Sequence, residues 1–225
     1  MALGTPADRG TASRNYSSNS DISVASFTPS ADDFLLAFVD IGNGASLEPT
    51  MSGQDSGISW TRIGSVETTS NHHSILYGAA VGGSPSAGVV TASYATTVSM
   101  TLQLTSISGV DVSSNIANAI LQSDQGNVYG TLLTLALTTP SNLTVGGWSV
   151  FGNTVIAEGT VINSVGSPHT ILDYDATGDA TPSASVASGN TNFIGVAVEL
   201  KEAVAGGGPV YQSIKHKYLR TLLTR

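Results

Sequence analysis

Asp173-Tyr-Asp-Ala-Thr-Gly-Asp179 carries the densest set of groups that could do chemistry. Its carboxylates stand at positions one, three and seven with a glycine at six, which is how a calcium loop begins. Such a loop also needs a bidentate glutamate at position twelve to complete the oxygen shell, and residue 184 is Ala. A polar turn between strands is therefore expected, with no metal site. His72 and His73 are adjacent, so on a strand their rings point to opposite faces and cannot chelate one ion. His169 precedes Asp173 by four residues, poor spacing for two groups on one strand face unless both lie inward.

A serine hydrolase would need an activated nucleophile, and no Gly-x-Ser-x-Gly elbow occurs. With so many serines, a Ser, His and Asp can meet in space by chance. The chain is therefore expected to be no enzyme, with no catalytic residues and no cofactor. Trp60, Trp148, Tyr77, Tyr94, Tyr129 and Tyr174 could build a sugar-stacking platform, which would make the body a carbohydrate-binding module or adhesin. Aromatics are only 6% of the chain and most sit in apolar runs, where core packing is their commoner use. The sequons at Asn15 and Asn142 come without a secretion signal and are read as accidental.

The elements that would position these groups are short strands. Phe34 to Ile41 is an unbroken apolar run of strand length, bounded by Asp32-Asp33 and Gly42, and reads as a strand covered on both faces. Its core side is assigned to Leu35, Ala37, Val39 and Ile41. The opposite row, Phe34, Leu36 and Phe38, then needs a second layer, such as Ser113 to Gln125 (a loop or short helix), or a neighbouring subunit. Val98, Met100, Leu102 and Leu104 alternate with Ser99, Thr101, Gln103 and Thr105, the pattern of a half-buried antiparallel strand. In Phe193 to Leu200, Ile194, Val196, Val198 and Leu200 face the core. About a dozen such strands, with turn signals every eight to twelve residues and no intervening helices, predict an all-β fold. The expected form is a two-sheet antiparallel β-sandwich, jelly-roll-like.

Composition agrees. The chain of 225 residues is 40% hydrophobic and 11% charged, and is long enough to bury a core without disulfides, which its lack of cysteine rules out. Residues 1–203 hold all sixteen acids against Arg9, Arg14, Arg62 and Lys201, a net charge of −12. An acidic body excludes nucleic acid as the main partner. No apolar run approaches the ~20 residues that cross a bilayer, and no signal architecture opens the chain, so a soluble product of the cytoplasm is expected.

The chain divides into a polar N-terminal arm, 1–20, a β-sandwich domain, 21–203, and a tail, 204–225. In the tail a Gly-rich linker precedes Tyr211, Ile214, Tyr218 and Leu222 at helical spacing, with Leu219 and Leu223 widening the stripe. Lys215, Lys217, Arg220 and Arg225 give it a charge of +4 with no acid. A short basic amphipathic segment cannot bury its own apolar face, so Tyr211, Ile214, Tyr218, Leu219 and Leu222 are expected to dock on a partner protein.

Several stretches, taken in order, have a common likeness: Ala25-Ser-Phe-Thr-Pro-Ser-Ala-Asp-Asp-Phe-Leu-Leu-Ala-Phe-Val, Pro49-Thr-Met-Ser-Gly, Ile58-Ser-Trp-Thr, Tyr77-Gly-Ala-Ala-Val-Gly-Gly-Ser-Pro-Ser-Ala-Gly, Ile107-Ser-Gly-Val-Asp and Gly195-Val-Ala-Val-Glu-Leu-Lys. Across residues 20–203 the chain resembles a diffuse family of β-sandwich proteins from the structural gene sets of tailed phages and prophages. The resemblance rests on strand and turn motifs and does not reach the basic tail. It implies a virion surface component assembled in the host cytoplasm, most directly a capsid decoration or cement protein. Its partners would be the major capsid protein or fibre and tail proteins, and it would be a homo-oligomer, with a trimer suiting the three-fold positions of capsids. The alternative is a glycan-binding receptor or adhesin module of a head or tail fibre. Neither nucleic acid nor membrane is an expected partner.

Overall fold

The computed structural model describes residues 2–14, 21–42, 48–54, 58–67, 72–96, 98–112, 115–150, 152–166 and 169–204. The first half forms β1 (Ala7–Arg14), β2 (Asp21–Ser23), β3 (Phe34–Gly42), β4 (Thr50–Gly53), β5 (Thr61–Glu67), β6 (His73–Ala80), β7 (Val90–Ser93) and β8 (Ser99–Ile107). A single helical turn, α1 (Ile116–Ala119), follows, with the Asn115 side chain accepting the Asn118 N–H at its start. The second half forms β9 (Ile120–Gly130), β10 (Leu132–Thr134), β11 (Thr144–Val150), β12 (Val155–Ala157), β13 (Thr160–Gly166), β14 (His169–Asp175), β15 (Ser183–Val186) and β16 (Thr191–Leu200).

Among the described residues every strand pairing is antiparallel, and the strands make four sheets. Two large sheets, β1-β8-β3-β6-β5 and β13-β14-β11-β16-β9, pack face to face. Between them lie Phe34, Leu36, Phe38, Leu76 and Ile107 from the first sheet, and Leu143, Val145, Leu172, Ile194, Val196, Val198 and Leu200 from the second half. Each large sheet is covered on its outer face by a three-stranded one. β2-β7-β4 packs Ile22, Val90 and Ala92 over Val39, Ile41, Met100 and Leu102, and β10-β15-β12 packs Leu133, Val155 and Ala184 over Trp148, Val150 and Phe193. The expected all-β class with packed antiparallel sheets stands.

The second eight strands repeat the first. Adding eight to each label of β1-β8-β3-β6-β5 gives β9-β16-β11-β14-β13, and β2-β7-β4 gives β10-β15-β12. Registers agree to the residue: Ile41 pairs with His73 and Met100 as Val150 pairs with His169 and Phe193. Even the irregularity is repeated, since β5 shifts register between Arg62 and Gly64, opposite Tyr77 and Leu76, and β13 between Val161 and Asn163, opposite Asp173 and Leu172. The halves pack about a pseudo-two-fold axis, which brings β5 beside β9 and β1 beside β13. At that axis equivalent positions face each other, so two large side chains would collide. Phe38 occupies one and Gly147 the other, and a Cβ at Gly147 would lie 2.4 Å from the Phe38 ring.

Four expectations change. Phe34, Leu36 and Phe38 are covered by the second half of the same chain, where Ile116, Ala119 and Ile120 of the Ser113 to Gln125 segment take part as expected beside Leu143 to Leu200, and Leu35, Ala37, Val39 and Ile41 lie toward the outer side of that sheet. Each fully buried side chain of this kind stabilises by about 1.5–3 kcal/mol, so both rows contribute. The Thr101, Gln103 and Thr105 row of β8 is buried rather than solvated, because it faces the other large sheet. Within the proposed arm, Ala7–Arg14 is an edge strand paired with Met100–Ser106, its backbone satisfied by β8 despite its polar sequence. The segment from Ser113 to Gln125 contains α1, but from Ile120 onward it is strand.

Candidate functional site

The chemistry-bearing side chains collect where the two halves meet. Asp40 is the one charge in the apolar run, and the alternation of β3 turns it toward the second sheet beside Phe38. Its Oδ1 accepts the Ser74 hydroxyl at 2.6 Å and lies 2.8 Å from His72 Nε2. The Ser149 Oγ of β11, at the position equivalent to Asp40, lies 3.2 Å from the same nitrogen. Burial of the His72 ring acts to lower its pKa, but the charge and hydrogen bond of Asp40 outweigh it and hold the pKa above the ordinary value. Ser149, His72 and Asp40 are thus a Ser-His-Asp constellation. In a catalytic triad the acid holds one ring nitrogen and the nucleophile meets the other. Here both converge on Nε2, so His72 cannot take the serine proton while it holds Asp40. Ser149 and Asp40 are 0% exposed, and the cluster ties one half of the fold to the other.

The polar seam continues along β8. Gln103 Nε2 donates to Asn163 Oδ1 at 2.8 Å and to the Asn163 carbonyl at 3.1 Å, and Asn163 Nδ2 donates to Asp8 Oδ1 at 3.0 Å. These bonds join β8, β13 and β1 across the halves. Across the pseudo-axis, the Ser65 N–H donates to Gln125 Oε1 at 2.8 Å and joins β5 to β9. The sequence shows Gln103 and Asn163 only as polar residues on strands; their value comes from a partner 60 residues away.

The carboxylates of Asp173, Asp175 and Asp179 do not converge. Asp173 turns inward, where Oδ1 accepts the Trp148 indole N–H at 2.8 Å and Oδ2 the Gly159 N–H at 3.1 Å. Burial pushes its pKa up to about 7 against the pull of those two donors. Asp175 accepts from the N–H and hydroxyl of Thr177, and Asp179 from the Thr181 N–H, each at 2.8 Å, the bonding of polar turns. Among the described residues no group of three His, Cys, Asp or Glu side chains is placed to hold a metal ion. His169 starts β14 opposite Val150, four strand positions from Asp173, about 13 Å along the strand.

The aromatic residues make no platform among the described residues. Trp148 is fully buried with Gly195 against its ring, Tyr77 and Tyr94 are buried, Trp60 and Tyr174 are half-buried, and Tyr129 is 70% exposed. The Asn142 side chain is engaged, donating to Glu199 Oε1 at 2.9 Å. Tyr211, Ile214, Tyr218, Leu219 and Leu222 lie outside the described residues. The described chain ends close to a groove of about 410 Å3. Its walls are Ser30–Asp33 before β3, Ser108–Val112 after β8, and Ala2 and Ala203 near the two ends. Among the described residues no helix is long and apolar enough to cross a membrane. Comparisons of the chain with protein-family models, curated proteins and solved structures find no match.

Proposed function

We propose that this chain is a non-enzymatic structural protein on the outside of a phage particle, a capsid decoration component anchored through its C-terminal tail. The observation that carries this proposal is the strand order. Each half runs 1-8-3-6 in its large sheet and 2-7-4 in its small one, which supports a jelly-roll path with the fifth strand carried over to the large sheet. Jelly rolls recur in viral capsid and lectin domains. Two of them fused through their large sheets make a block held by apolar packing and buried hydrogen bonds, suited to bearing load. The burial of the Ser149, His72 and Asp40 cluster supports a role in cohesion rather than turnover.

With Ala7–Arg14 built into a sheet, the anchoring role falls to the basic tail, acting on the major capsid protein or on fibre and tail proteins. Several copies, for which a trimer is the natural number on three-fold capsid positions, would add avidity. Co-sedimentation with purified particles tests this. The sixteen strands of the described residues all precede residue 205, so a chain ending there should keep its thermal transition and lose particle binding. Unchanged binding would sink the tail anchor, and absence of the full chain from particles would sink the virion assignment. Glycan-array binding that disappears in Tyr129→Ala would put a glycan-receptor role in its place.

A further inference from the structure

Four buried oxygens in the seam between the halves have no hydrogen-bond partner among the described residues: Asp40 Oδ2, Thr101 Oγ1, Gln103 Oε1 and Thr170 Oγ1. Their residues are at most 1% exposed, so bulk solvent does not serve them. A single unbonded buried oxygen is costly, and four in one layer call for a ligand. We propose that they bind one water molecule, which accepts from both threonine hydroxyls and donates to Asp40 and Gln103. The site rests on the fold alone and is independent of the virion assignment.

Strand register brings the four together. Asp40 is the direct partner of Thr101 across β3 and β8, as Ser149 is of Thr170 across β11 and β14. Direct partners share a face, and Asp40 and Ser149 meet at His72 Nε2, so both threonines also point into the space between the large sheets. Gln103, two residues from Thr101 and on the same face, carries its amide across to β14, where Nε2 lies 3.5 Å from the Thr170 carbonyl. Packed sheets stand about 10 Å apart. Threonine hydroxyls reach only two bonds from the backbone, so a facing pair leaves room for about one water.

Hydrogen counting selects the occupant. Each hydroxyl brings a hydrogen that needs an acceptor, while the carboxylate and amide oxygens need donors. Water has two hydrogens and two lone pairs and meets all four needs, within the two to four bonds that buried waters make. A sodium or potassium ion would use every oxygen as a ligand and leave both hydroxyl hydrogens unbonded, and His72 already stands against the Asp40 charge. With the water bound, the Asp40 cluster and the chain from Gln103 through Asn163 to Asp8 become one network, joining β11 to β1 across the halves.

A high-resolution crystal structure of the full chain should show density about 2.7–3.0 Å from each of the four oxygens. Thr101→Val and Thr170→Val keep the side-chain shape and delete one hydroxyl each. Each is expected to lower the folding equilibrium constant about two- to tenfold in urea unfolding, and the double variant should lose less than the product, because both hydroxyls act through one water. If the site is dry, removing an unbonded hydroxyl leaves stability unchanged or raises it, and that result overturns the proposal. So do strictly multiplying losses, or an absence of density in the wild type, which decides the matter even if a variant fails to fold. Stability that differs among sodium, potassium and choline chlorides at equal ionic strength would put a cation in the site and overturn the water.

Discussion

Replacing Asp173 with Asn should change how the stability of the whole protein depends on pH. The folded carboxyl ionises near about 7, against 3.8 for an ordinary one, because burial costs more than the Trp148 and Gly159 donors return. Between those values the folded state holds the proton that the unfolded chain has lost, so stability falls as pH rises from about 4 and levels off above about 7. The size of that loss is about 4 kcal/mol. Asparagine keeps an oxygen for the Trp148 N–H but turns an amide N–H toward the Gly159 N–H, a mismatch worth about 1–3 kcal/mol at every pH. The wild type should therefore be the more stable protein at pH 4, and its advantage should shrink or reverse by pH 8. Urea unfolding followed by tryptophan fluorescence, for both proteins across that range, measures the difference while other titrating groups largely cancel. A difference flat in pH would refute the assignment of a buried carboxyl titrating near neutrality.

Gly147→Ala should cost about 1–3 kcal/mol by forcing its new methyl into the Phe38 ring, and Phe38→Leu in that background should recover part of it. Thermal unfolding of the single and double variants checks this, and strictly additive costs would count against the contact. Asp40→Asn should lower the His72 pKa, since burial would then act with less opposition. In the wild type the pair stabilises below the ordinary histidine value, and that contribution is lost as pH rises through the raised folded value. Ring-proton NMR titration of His72 reads the change directly; an unshifted titration would mean that Asp40 does not set it.

The all-β class was legible because turn residues punctuate short apolar runs, and Phe34 to Ile41 showed its double burial in its composition alone. What covers those two faces was not legible, because most of the cover comes from distant residues, Val90 and Ala92 joining Ile22 and Val24 on one side and Leu143 to Leu200 lying on the other. The row Thr101, Gln103 and Thr105 carries the local pattern of a solvated face, and only Asn163 and Ala7, brought over by the fold, make it an interior one. The duplication did leave a trace: His73-Ser-Ile-Leu recurs as His169-Thr-Ile-Leu. At the axis the equivalent positions differ in kind, since Phe38 leaves no room for a side chain at Gly147, and Asp40 and Ser149 meet the same His72 nitrogen, so the repeat is hard to see there in the residues. The candidate site was legible only as a possibility, since the meeting of Ser149, His72 and Asp40 depends on a pairing of sheets that no spacing encodes.

The first and last described residues and the connection between the halves all meet at one corner, through the bonds of Gly4 and Ala203 to Ser108 and Gly109. Topologically the described fold is close to a closed ring that opens at that corner. Rotating the gene so that the polypeptide starts at the junction and runs through the old ends would leave every sheet, register and buried pair in place. The order in which the two halves are synthesised is therefore no part of what the fold requires.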